Sequence, residues 1–158
     1  MTIPFFDVGW KAVNVQYRLT DPPAGVGKYR FTHGLPTPLF LTNPYDKPAG
    51  PTLLVEGAKK AIVCFDNIDD LNIVAIPSKA PPARILESLS ECDPIYIALD
   101  PDAYVANGGK PAVNRVVAKL GRERCRIVKL PCKADDLFTR HGGTAADMNE
   151  FIYQGLPV

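Results

Sequence analysis

The sequence predicts an α/β fold, with a mostly parallel sheet flanked by helices and a small N-terminal antiparallel β subdomain ahead of it. Three observations point there. From Thr52 onward, apolar runs of strand length alternate with segments of helical periodicity, the pattern of right-handed βαβ units. Before Thr52 the runs are shorter, alternate with period two and are broken by Pro- and Gly-rich turns. Two of the later runs end abruptly in acidic residues, as strands do when they deliver functional groups to the crevice of a parallel sheet.

In chain order, residues 1–50 are expected to form the small subdomain. Val13–Leu19 alternates, Asp21-Pro22-Pro23-Ala24-Gly25 is a turn, and Lys28–Phe31 and Pro38–Leu41 are two further strands. Ala24-Gly25-Val26-Gly27-Lys28 lacks the first glycine, the closing Ser/Thr and the following helix of a phosphate-binding P-loop, so it reads as a hairpin loop. Residues 51–158 are expected to form the larger domain. Strands are predicted at Thr52–Val55, Asn72–Ile76, Ile95–Leu99 and Arg126–Leu130. Helices are predicted from Ala58 to about Phe65, over Pro81–Ser90 with Pro82 in its first turn, and over Lys110–Leu120 with Gly121 as its stop. A last helix opens at a Thr144/Asp147 capping box and runs to about Tyr153. Between Tyr104 and Gly109 a loop is expected.

Composition sets the outer limits. In 158 residues, 46% are hydrophobic, 22% are charged and the formal net charge is +1, which suits one compact domain and excludes a globally basic nucleic-acid binder. No apolar run approaches the roughly 20 residues of a membrane span, and the first residues lack a signal peptide's basic start; a cytoplasmic location and no membrane partner are expected. Cys64, Cys92, Cys125 and Cys132 form no CxxC unit, so they are read as reduced thiols rather than zinc ligands or disulfides. His33 and His141 have no ligand spacing and receive no catalytic role.

The chemistry therefore falls to carboxylates. Glu56 ends one apolar run just before Gly57, and Asp100-Pro101-Asp102 ends another. Hard divalent cations such as Mg²⁺ take oxygen ligands, and one or two carboxylates with a substrate phosphate complete their shell. Asp100 and Asp102, two apart, would point the same way in an extended chain. Taken singly each motif also has a plain reading, Glu56 as a charge near a helix N-terminus and Asp100-Pro101-Asp102 as a turn. Asp135-Asp136 either joins the site or caps a helix before Leu137-Phe138.

Leu54-Val55-Glu56-Gly57 with Lys60-Ala61, followed by Ala98-Leu99-Asp100-Pro101-Asp102-Ala103, resembles the signature of Toprim domains, found in bacterial-type primases, topoisomerases and certain nucleases. The resemblance covers residues 52 to about 130. Leu130-Pro131 with Asp135-Asp136, and Gln16-Tyr17-Arg18 with Lys28-Tyr29-Arg30, resemble flanking regions of phage and mobile-element primases. It implies a Toprim-like (Rossmann-like) domain performing metal-dependent nucleotidyl transfer, a DNA primase making RNA primers in DNA replication. The implied metal is Mg²⁺ or Mn²⁺ on Glu56, Asp100, Asp102 and Asp135, with Lys59 and Lys60 neutralising phosphate. The implied partners are single-stranded DNA template, nucleoside triphosphates, and a helicase or other replication protein. Arg18, Arg30, Lys59, Lys60 and Arg115 are the expected nucleic-acid contacts. Two other readings use the same residues: a metal-dependent nuclease, and a non-catalytic DNA-binding replication or recombination module. The chain is read as an excised domain, a subunit or a degenerate relative of such primases.

Overall fold

The computed structural model describes residues 1–106 and 108–158; of the loop expected from Tyr104 to Gly109, Asn107 lies outside the described residues. Two sheets make up the chain. A three-stranded antiparallel sheet in the order β1-β2-β3 comprises β1 (Thr2–Phe6), β2 (Ala12–Arg18) and β3 (Tyr29–Phe31). A six-stranded sheet in the order β4-β6-β5-β7-β8-β9 comprises β4 (Phe40–Leu41), β5 (Thr52–Glu56), β6 (Asn72–Ile76), β7 (Ile95–Ala98), β8 (Cys125–Ile127) and β9 (Leu156–Pro157). Its four inner strands are parallel, and the two outermost run antiparallel to them. Helices α1 (Ala58–Phe65), α2 (Ala83–Glu87), α3 (Ala112–Leu120), α4 (Ala134–Thr139) and α5 (Ala145–Tyr153) complete it. The fold is the mixed α/β architecture the sequence predicts.

Strand order decides where the helices go. The chain leaves β5 for β6 on one side, then crosses back over β5 to reach β7 and continues to β8. Right-handed crossovers that start in opposite directions put their helices on opposite faces. Accordingly α1 packs with Leu53, Val55, Ile73 and Ala75 on one face, joined by α4 and α5. On the other face α2 and α3 pack with Leu54, Val74, Ile76, Ile95 and Ile97. The period-two alternation along β5 and β6 is thus split cleanly between two cores.

The small sheet lies on the α1 side. Ile3 and Phe5 are buried in the same core as Leu53 and Val55. Phe5 meets Phe31 and Phe40 edge-on, each at a centroid distance of 5.0 Å, so aromatic contacts fasten the small sheet to β4. Here the structure corrects one expectation: Pro38–Leu41 does not complete the small sheet. Phe40 and Leu41 instead pair with Ala75 and Val74 at the edge of the large one, where Thr42 Oγ1 also donates to the Ile73 carbonyl at 2.7 Å.

Other differences are local. The helix expected over Pro81–Ser90 is regular only from Ala83 to Glu87, because its end tightens into turns from Leu89 N to Leu86 O and from Ser90 N to Glu87 O. The strand expected at Arg126–Leu130 is Cys125–Ile127. The capping box at Thr144 is present as predicted, with the Asp147 amide donating to Thr144 Oγ1 and the Asp147 carboxylate accepting from the Thr144 amide. All four cysteines are free thiols, three of them buried.

Candidate active site and nucleic-acid interface

In a parallel sheet the crevice opens where neighbouring strands send their connections in opposite directions. Here those strands are β5 and β7, paired with Val55 opposite Ala98. One residue beyond that pair on β5 is Glu56, and two beyond it on β7 is Asp100. The register therefore brings the two predicted carboxylates to one end of adjacent strands. Gly57 turns the chain out of β5 at φ 88°, a left-handed conformation that strains any residue with a side chain. Its amide donates to the Ile76 carbonyl at 2.9 Å, and α1 starts directly after it.

The two carboxylates feel one another. Burial raises the pKa of Glu56, and repulsion from Asp100 adds to that. One oxygen on each, Glu56 Oε2 and Asp100 Oδ1, is buried and accepts no hydrogen bond. Asp100 is only 12% exposed at its side chain, and the ammonium of Lys60, whose side chain is 14% exposed, stands 3.1 Å from Oδ1, off the direction of a hydrogen bond. That ammonium donates to the Glu56 backbone carbonyl at 2.9 Å. Lys133 Nζ lies 3.8 Å from the other Asp100 oxygen.

Asp102 departs from expectation. Pro101–Tyr104 is a 3₁₀ turn rather than extended chain, so Asp102 does not share the direction of Asp100. It points outward, 64% exposed, and pairs with Lys79, whose hydrogen bond pulls the Asp102 pKa below the ordinary carboxylate value. Tyr104 pins the turn from below. Its hydroxyl accepts from the Leu99 amide at 3.0 Å and faces the carbonyls of Ile97 and Val128 at 2.9 and 3.0 Å. Burial pushes that phenol up to about 12.

Asp135 and Asp136 sit in the first turn of α4, and neither caps it; negative charge there is favourable. Asp135 is buried and pairs with Lys59 at 2.8 Å. Burial alone would raise its pKa, but the Lys59 ammonium outweighs that and lowers it. Asp136 pairs with Arg140 at 3.1 Å. The four expected metal-binding carboxylates are therefore spread over three positions, each with a lysine against it. Among the described residues no three His, Cys, Asp or Glu side chains stand close enough to hold a metal ion together. Glu56 and Asp100 remain a pair, and two carboxylates with unpartnered buried oxygens suit a hard cation that completes its shell with phosphate and water.

Between this strand end and the small sheet runs a cleft of about 390 Å³. Gln16, Arg18, Lys28 and Tyr29 of the small sheet form one wall; Glu56, Gly57, Ala58, Lys59 and Lys60 form the floor; Lys133, Asp135, Asp136 and Arg140 close it. Six cationic residues (Arg18, Lys28, Lys59, Lys60, Lys133, Arg140) face three acidic ones (Glu56, Asp135, Asp136), a formal excess of three positive charges in a chain of net charge +1. Arg18 and Lys28 have no ion-pair partner among the described residues.

Of the expected nucleic-acid contacts, Arg18, Lys59 and Lys60 line this cleft, and Arg30 is exposed on the small sheet outside its lining. Arg115 lies elsewhere: α3 packs on the opposite face of the sheet from α1. Arg115 therefore shares no face with Lys59 and Lys60. Arg124 is committed to the carbonyls of Leu89, Ser90, Cys92 and Leu120. Sequence reasoning missed Lys79, Lys133 and Arg140; Lys28 it placed with Arg18 and Arg30 on the N-terminal sheet. Lys79 and Lys133 follow the carboxyl ends of β6 and β8, the same position that singles out Glu56 and Asp100, and this would have found them.

No protein-family model and no curated protein sequence matches the chain. Solved structures do. The Aquifex aeolicus primase, zinc-binding and RNA polymerase domains, superposes with a TM-score of 0.75 at 21% identity over 98% of this chain and 40% of that one. A DNA primase domain from Pseudomonas aeruginosa gives 0.74 at 18% identity over 98% and 50% of the two chains. The DnaG primase catalytic domain bound to ssDNA gives 0.70 at 16% identity over 99% and 53%. The chain thus has a primase-like fold and spans about half or less of these three structures.

Proposed function

We propose that the chain is a Toprim-type catalytic domain of a DNA primase, joining ribonucleotides on a single-stranded DNA template. The observation that carries this reading is the placement of Glu56 and Asp100 at the strand-order reversal, beside a cleft with excess positive charge. The likeness in fold to primase catalytic domains supports it. Phosphates of the template strand lie along Arg18 and Lys28, with bases within reach of Tyr29 for stacking. The triphosphate sits toward the start of α1, where no side chain caps the helix and Gly57 allows close approach. Mg²⁺ or Mn²⁺ held by Glu56 and Asp100 would supply the charge that offsets a triphosphate in transfer. Lys133 and Lys60 hold Asp100 from two sides, and Lys79 keeps Asp102 turned out from the site.

Single-stranded DNA, the four ribonucleoside triphosphates and Mg²⁺ form the test. New oligoribonucleotides are expected from the wild type and none from Asp100→Asn. Shortened DNA would assign a nuclease instead, and a mobility shift without turnover a binding module.

A further inference from the structure

Lys60 holds the position of a cation. Its side chain is only 14% exposed, and its ammonium bonds to the Glu56 backbone and stands 3.1 Å from a buried oxygen of Asp100 that has no hydrogen-bond donor. Of the lysines paired with carboxylates around the site, it is the one with the most buried ammonium-bearing side chain; Lys59, Lys79 and Lys133 are 48%, 34% and 55% exposed. Glu56 and Asp100 lie on adjacent strand ends, so a metal ion bridging them would stand against this fixed positive charge.

We propose that Lys60 is a built-in counter-cation that competes with a divalent ion for Asp100 and Glu56. The inference rests on the reading of that pair as the ion site. In the ion-free chain the ammonium keeps Asp100 neutralised and in place, since a buried charge without a partner is costly. Entry of a divalent ion requires Lys60 to swing away. Its four-carbon stem allows this, and the released ammonium then has a phosphate within the cleft to meet. Divalent affinity in the absence of nucleotide is therefore weak, because only the fraction of molecules with Lys60 displaced is competent to bind.

The test measures Mn²⁺ binding to the purified chain by electron paramagnetic resonance, with neither nucleotide nor DNA present. If the lock is closed between nine-tenths and ninety-nine hundredths of the time, Lys60→Met tightens Mn²⁺ binding by roughly ten- to a hundredfold. Lys60→Arg keeps the charge and stays close to wild type. Lys60→Met combined with Asp100→Asn loses the gain. Lys60→Gln serves in the same way should the methionine variant not fold. Unchanged or weaker Mn²⁺ binding in the neutral variants overturns the proposal, as does equal tightening in Lys60→Arg, which would trace the effect to packing. Because the readout involves no nucleic acid, failure of primer synthesis would remove the primase reading and leave this one standing.

Discussion

Replacing Arg18 and Lys28 together by alanine is the sharpest probe of the cleft. Both side chains are exposed, both line the wall contributed by the small sheet, and neither has an ion-pair partner among the described residues. Lys59 and Arg140, by contrast, must leave Asp135 and Asp136 before they can hold a phosphate. Two unencumbered cations on single-stranded DNA correspond to a change of about 1.4 in the slope of log affinity against log salt. Between about 50 and about 200 mM salt, that slope is worth roughly a sevenfold difference in how far affinity falls. Fluorescence anisotropy with a labelled oligonucleotide, run as a salt series, reads both slopes directly. The fold is expected to survive, since neither residue contributes to either core. A double variant with the wild-type slope would show that the template does not run along this wall, and the electrostatic argument for the cleft would fail.

Two further outcomes follow from the geometry. Glu56 has its pKa raised in the folded chain, first by burial and then by Asp100, so the folded state favours the protonated form and ionisation costs stability. That cost is absent below the unfolded value of 4.5 and fully present above the folded pKa. Glu56→Gln should therefore raise the melting temperature at neutral pH, with the gain shrinking as pH falls toward 4.5; a gain that persists unchanged at lower pH would contradict the assignment. Tyr104→Phe leaves the Leu99 amide without its acceptor, at a cost of about 1–3 kcal/mol. Urea denaturation should show a lower midpoint with the same slope, and an unmoved midpoint would mean the hydroxyl pins nothing.

Much of this was readable in the sequence because the signals were local. Leu53, Leu54 and Val55 give an uninterrupted apolar run because β5 is covered on both faces, and such a run can only end where the chain leaves the sheet, at Glu56-Gly57. The same holds for Ile95 to Asp100. What escaped was set by pairings between distant residues. β9 is two residues long and is held by a partner far back along the chain, so no periodicity announces it; β4 was expected as a strand, but its place at the edge of the large sheet depends on β6, far along the chain. β1 escaped although Ile3 and Phe5 alternate inward, because Pro4 breaks the pattern in the middle of a five-residue run. Arg115 was placed with Lys59 because amphipathicity tells which side of a helix faces a sheet, never which side of the sheet the helix occupies. Asp102 was misdirected by assuming extended chain through Pro101, where the fixed ring angle serves a 3₁₀ turn equally well.

The division of the sheet into two cores has a consequence for how the chain can vary. Cleft-lining groups come from the α1–α4 side and the strand ends, while α2 and α3 contribute none. Substitutions among Ile85, Leu89, Val113, Val116 and Val117 therefore alter how many molecules are folded, and those that fold keep their affinity. Val55, Ala58 and Ala61 enjoy no such latitude, since a shift there moves α1 and with it Lys59 and Lys60. One surface of this protein is free to drift through sequence space at the expense of abundance alone; the other holds its residues to both tasks at once.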